Sequence, residues 1–184
     1  MKRTGYLIGV LWIGFSVASI ALSQQVMEKC PLHKQHQAEQ KQHQHSEHLK
    51  EVNQRGEKAM GFSQSQTTHH FRLFTDGGAI EVEVNDPADD ENRNRIQQHL
   101  AHIAQVFADG DFETPMAVHA KVPPGVPVMK RLKSEIRYEY QALKSGGRVR
   151  ISSTNGEARA AIHEFLRFQI TDHQTGDSLE IQNP

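Results

Sequence analysis

Between positions 79 and 84 apolar and charged residues alternate, Ile80, Val82 and Val84 against Glu81 and Glu83. A period of two predicts a strand with one face buried. Residues 70–75 alternate more weakly, and Asp76-Gly77-Gly78 between the two runs supplies the left-handed backbone that a tight hairpin needs. Asn85-Asp86-Pro87 breaks the second strand. Asp89, Asp90 and Glu91 then suit a helix start, where carboxylates meet the positive end of the dipole. The period becomes helical through Ile96, Leu100, Ile103 and Phe107, and Gly110 stops it. A Pro-rich connector over 122–127 leads to a short helical stretch around 129–134. Residues 136–142 and 148–153 form a second strand pair about Ser145-Gly146-Gly147. A last helix is predicted over 156–173, with Ile162, Phe165, Leu166 and Ile170 on one side.

The two halves read as one unit written twice. Gly77-Gly78 matches Gly146-Gly147, which sets Ile80, Val82 and Val84 opposite Val149, Ile151 and Ser153. In the helices Ile96 matches Ile162 and Leu100 matches Leu166. Each strand–strand–helix unit has one apolar sheet face and one apolar helix stripe, which the other unit can cover. The expected fold class is α+β, a four-stranded antiparallel sheet with two main helices on one face, from a duplicated strand–strand–helix unit.

The N-terminal third has another character. Lys2 and Arg3 precede an uncharged, mostly apolar run over 6–22, and Ala21 and Ser23 are small residues at the −3 and −1 positions of a cut before Gln24. That is the layout of an export signal. Residues 24–61 are rich in His and Gln, and from 33 to 48 there is no aromatic or β-branched residue. Such a segment buries too little apolar area to offset chain entropy, so it is expected to be irregular or transiently helical. The expected organisation is 1–23 signal peptide, 24–61 disordered His/Gln-rich leader and 62–184 α+β domain. Export places the protein in the periplasm or outside the cell, with membrane contact only through an uncleaved signal segment.

Charge changes the picture little: 21 Lys and Arg against 22 Asp and Glu give −1, without the clustered positive charge of a nucleic-acid binder. A single cysteine excludes an intramolecular disulfide framework, although Cys30 would be able to join two chains. Twelve histidines are the anomaly. In the leader, Cys30, His33, His36, His43, His45 and His48 lie close together in sequence. Thiolate and neutral imidazole suit copper, zinc or nickel better than calcium or magnesium. In the domain, His99 and His102 flank the apolar stripe of the first helix three residues apart, Met116 and His119 follow, and His69-His70 open the first strand. Adjacent strand residues face opposite ways, so only one of His69 and His70 can join a site on a given face. A histidine–methionine group of this kind suits copper. His173, near the end of the last helix, is read as a protonated imidazole at the negative dipole end, a structural role. No Gly-rich phosphate loop, nucleophile elbow or Cys–His pair is found in the folded part, so no catalytic residue is assigned.

Cys30-Pro-Leu-His33 resembles the Cys-Pro-x-His core of short heavy-metal-binding segments that precede copper-handling transporters and resistance proteins. Residues 67–179 resemble a group of small, exported, uncharacterised bacterial proteins. The resemblance rests on Thr68-His-His-Phe71, the Asp76-Gly-Gly hairpin, Gly110-Asp-Phe112, Pro124-Gly125, Gly146-Gly-Arg-Val149 and the run from His163 to Ile170 through Asp177. Members are sometimes labelled aspartate carbamoyltransferase, a label this chain rejects because it lacks the Ser-Thr-Arg-Thr-Arg phosphate-binding run. The resulting expectation is a periplasmic metal-binding accessory protein, with copper or zinc as the ion. The alternative is a metal-independent envelope protein-interaction module, and an enzyme of unknown class ranks below both.

Overall fold

The computed structural model describes residues 31–184; the segment 1–23 expected to be an export signal, Cys30 and the side chain of His33 lie outside the described residues. The described chain divides into two units between His45 and Ser46. A single helix, α1 (Pro31–Met60), runs through the division. Of the two forms expected for the leader, disordered or transiently helical, residues 31–60 take the helical one. Gln, Glu, Lys, Ala and His fill the stretch, and neither Gly nor Pro interrupts it between Leu32 and Arg55, so its propensity is uniformly permissive. Within the first unit the helix is exposed, and Gln35 donates to Glu39 (3.1 Å). In the second unit α1 is a core element: Val52 is fully buried, and the Arg55 Nε–H donates to the Val118 carbonyl (2.7 Å). The folded part therefore takes in residues well before position 62.

Next come β1 (Thr67–Phe74), β2 (Gly77–Val84), α2 (Asp90–Ala108), α3 (Glu113–His119), α4 (Val126–Arg131), a 3-10 turn, β3 (Arg137–Leu143), β4 (Gly146–Ser152) and α5 (Gly156–His173). The strands form one antiparallel sheet in the order β1-β2-β4-β3. Asp89 caps α2 by accepting from the Asn92 N–H (3.0 Å), and Asn155 caps α5 by accepting from Glu157 and Ala158. The α+β architecture is as the sequence pattern predicts. The glycines, however, act differently from expectation. Of the two glycine pairs only Gly77 has a positive φ (147°), and all four glycines are strand residues. Their lack of a side chain serves close approach: a Cβ on Gly146 would collide with the Val82 carbonyl, and one on Gly78 with Leu166 and the Arg72 carbonyl.

The register bears on the repeat. Ile80 pairs with Val149 across the central β2–β4 ladder, and these are the residues that the repeat makes equivalent. The two hairpins are thus related by a local two-fold axis through that pair. The helices cross over: α2, which follows the first hairpin, packs mainly on β3 and β4, while α5, which follows the second, packs on β1 and β2. Between helices and sheet lies the core, including Ile80, Val82, Ile96, Leu100, Phe107, Phe112, Val149, Ile151, Ile162, Phe165 and Leu166.

The other sheet face is not bare. Glu81 is buried there beneath Arg148 (2.8 Å) and Arg72 (3.4 Å), and Arg150 lies over the Phe74 ring (4.7 Å). The C-terminal segment runs along β1, where the Gln182 N–H donates to the Leu73 carbonyl (2.9 Å). Among the described residues no helix is long and apolar enough to cross a membrane.

Candidate functional site

Where α1, β1, β2, α2, α3 and α5 meet, they line a cavity of about 60 Å³ that is partly open to solvent. Its walls are largely apolar (Phe71, Ile103, Phe107, Val118 and Phe165 among them), yet Met60, His69, His99, His119 and His173 line it too. Sequence alternation explains His69: it shares the inward face of β1 with Phe71 and Leu73. His99 stands on α2 next to Leu100 and Ile103, and His173 continues the inward stripe of α5 beyond Ile170.

The rings pack closely. His69 and His173 lie parallel with centroids 5.9 Å apart, and the His173 ring meets that of His119 edge-on at 4.9 Å. Phe62 stacks on His69 (5.9 Å) and meets His99 edge-on (5.7 Å). Burial among these apolar rings disfavours the imidazolium form, and neighbouring histidines add to the effect. The pKa of His69 is pushed down to about 4, that of His99 to about 4 and that of His173 to about 3. All three are neutral at physiological pH. The sequence reading made His173 a protonated imidazole in a structural role; burial instead holds it neutral, desolvation outweighing the nearby Asp172. The Nε2 atom of His69 is shut off from solvent and has no hydrogen-bond partner.

His119 is held differently. Its Nδ1–H donates to the buried carboxylate of Asp172 (2.6 Å), and its Nε2 lies 2.9 Å from the Gln169 side-chain oxygen. The Gln169 nitrogen is buried and unpartnered as placed, and a half-turn of the amide would let it donate to the Nε2 lone pair. Asp172 also faces His48 (3.1 Å) and Lys121 (3.6 Å). Its burial raises the carboxyl pKa, but the hydrogen bonds and charges of His119 and His48 outweigh this and hold it below the usual range. The His119–Asp172 hydrogen bond is that of a general-base dyad, yet the outer nitrogen meets an amide instead of a nucleophile.

Of the histidines singled out from sequence, His69, His99 and His119 converge on the cavity. His102 is exposed on α2, and Met116 on α3 does not line the cavity. His70 faces the other way, with its Nδ1 2.9 Å from Asp177, and His163 donates from Nε2 to the Phe74 carbonyl (2.8 Å). His36, His43 and His45 are exposed on α1, whereas His48 is half-buried against Asp172. Two participants were missed, Met60 and His173. His173 was legible as the next member of the α5 stripe; Met60 was hidden by the expectation of an irregular leader.

Among the described residues, no three His, Cys, Asp or Glu side chains are arranged to hold a metal ion. The cavity is also far below the several hundred cubic ångströms of an organic-ligand pocket, and fits an ion or one or two waters. Compared with protein-family models, with curated proteins and with solved structures, the chain matches none.

Proposed function

We propose that this protein is an exported accessory protein that handles a transition-metal ion, capturing it on the leader histidines and holding it in the folded domain. The observation that carries the reading is a single cavity lined by one thioether and four imidazoles, three of which burial keeps in the unprotonated form that a metal requires. The Asp172 contact fixes the tautomer of His119, with the proton on Nδ1, as a carboxylate beside a metal-binding imidazole does. On the leader, His36, His43 and His45 are exposed to solvent on α1, as an initial acceptor should be. The export segment and the Cys30-Pro-Leu-His33 run agree with work in the cell envelope.

The test is metal content. The mature protein, incubated with copper, zinc or nickel and then desalted, is assayed by mass spectrometry beside a variant with His33, His36, His43 and His45 changed to Gln. Retention at micromolar or tighter affinity, reduced but not abolished in the variant, supports the division of labour. Absence of retained metal from both proteins refutes the reading.

A further inference from the structure

We propose that the cavity is selective for a monovalent soft ion, cuprous copper, bound by the Met60 thioether and the imidazoles of His69 and His173. This inference rests on the metal-handling reading and goes beyond it by assigning the ion's charge and its ligands.

Charge is the first argument. The residues lining the cavity include neither Asp nor Glu, and neither Lys nor Arg. A divalent ion there would bring two positive charges against walls that carry no carboxylate of their own, whereas a monovalent ion brings one. Asp172, the carboxylate nearest in the hydrogen-bond network, is already engaged by His119, His48 and Lys121.

Donor type points the same way. A thioether is a soft ligand that favours copper(I) over hard or borderline divalent ions, and neutral imidazole is compatible with it. Coordination number is the third argument. Structural zinc takes four ligands in a tetrahedron, and the described residues hold no group of three His, Cys, Asp or Glu so disposed. Cuprous copper, a closed-shell ion, is satisfied by two or three donors, and methionine sulfur supplies one.

His69 supplies the most specific sign. Its enclosed Nε2 has no partner, a state that costs free energy in the empty protein and that a ligand would relieve. The parallel His173 ring lies 5.9 Å away between centroids, and both face the same small space.

The experiment is an anaerobic copper(I) titration of the full mature chain against a chromophoric copper(I) chelator, with silver(I) as a redox-inert probe and zinc(II) and copper(II) in parallel. Met60→Leu keeps side-chain volume and His69→Phe keeps ring stacking, so both are expected to fold, which circular dichroism checks. Copper(I) affinity is expected to fall at least tenfold in each and to stay unchanged when His33, His36, His43 and His45 are changed to Gln. X-ray absorption of the copper(I) form should show a sulfur neighbour that Met60→Leu removes. Tighter binding of zinc(II) or copper(II), with the same sensitivity to His69→Phe, overturns the monovalent assignment and leaves the broader reading standing. Copper(I) binding that responds only to the leader substitutions overturns the cavity as its site. If no ion binds, both proposals fail.

Discussion

Acid should destabilise the metal-free domain well above the range where carboxylates titrate, because three imidazoles are buried neutral. His69 and His99 titrate at about 4 in the folded protein, and His173 at about 3, against 6.5 for an exposed histidine. Below pH 6.5 the unfolded chain takes up protons that the folded chain refuses, so unfolding is favoured progressively. At pH 5 a histidine shifted from 6.5 to 4 forfeits roughly 2 kcal/mol of stability relative to pH 7.5. His173 forfeits about the same, since at pH 5 the unfolded value governs the loss. Each residue keeps some solvent exposure, and the rings interact with one another, so the joint loss is of the order of 4–6 kcal/mol. That is comparable with the whole stability of a small domain, roughly 5–15 kcal/mol. Asp172 and Asp177 have depressed pKa values, and their contribution is lost only as pH falls below the ordinary carboxylate range, which leaves the window from pH 7 to 5 to the histidines. The assay is urea unfolding in chelator-treated buffer at pH 7.5, 6 and 5. With a slope of roughly 1–3 kcal/mol per molar, the midpoint should fall by more than about 1 M, and His173→Phe should remove part of the fall. A midpoint constant from pH 7.5 to 5, or an undiminished fall in that variant, would refute the reasoning.

Gly146→Ala places a methyl against the Val82 carbonyl at the central ladder and should cost about 3 kcal/mol or more, read as a lowered thermal midpoint or as insoluble expression. Asp172→Asn removes the charged partner of His119, His48 and Lys121 and should cost about 2 kcal/mol in urea at pH 7.

Much of the fold was legible because two periods dominate the chain from position 79 onward. Ile80-Val82-Val84 and Ile96-Leu100-Ile103-Phe107 each have a matching partner run, so element order, sheet composition and the inward faces follow from pattern alone. The leader was misread because it lacks apolar residues to reveal a helix, and Val52, buried against the domain, is a lone signal in a polar stretch. The glycine pairs looked like turn makers, since sequence cannot tell a positive φ from a close backbone contact. For the site, His69, His99 and His119 were found by residue type, and inward direction separates them from His70 and His102. What sequence withheld was convergence: the cavity draws on six elements, and Met60 and His173 reach it from opposite ends of the domain's sequence.

The crossed helices also constrain how such a protein arises and how it comes apart. A chain holding only residues 67–108 would carry α2 with no sheet of its own to cover, since the strands beneath that helix belong to the second hairpin. Such a fragment's natural resort is to exchange helices with an identical chain about the Ile80 pairing position, so a swapped homodimer is the architecture from which gene fusion would yield this single-chain sheet. Cleavage in the connector between the halves should accordingly leave two pieces that remain clasped until denatured.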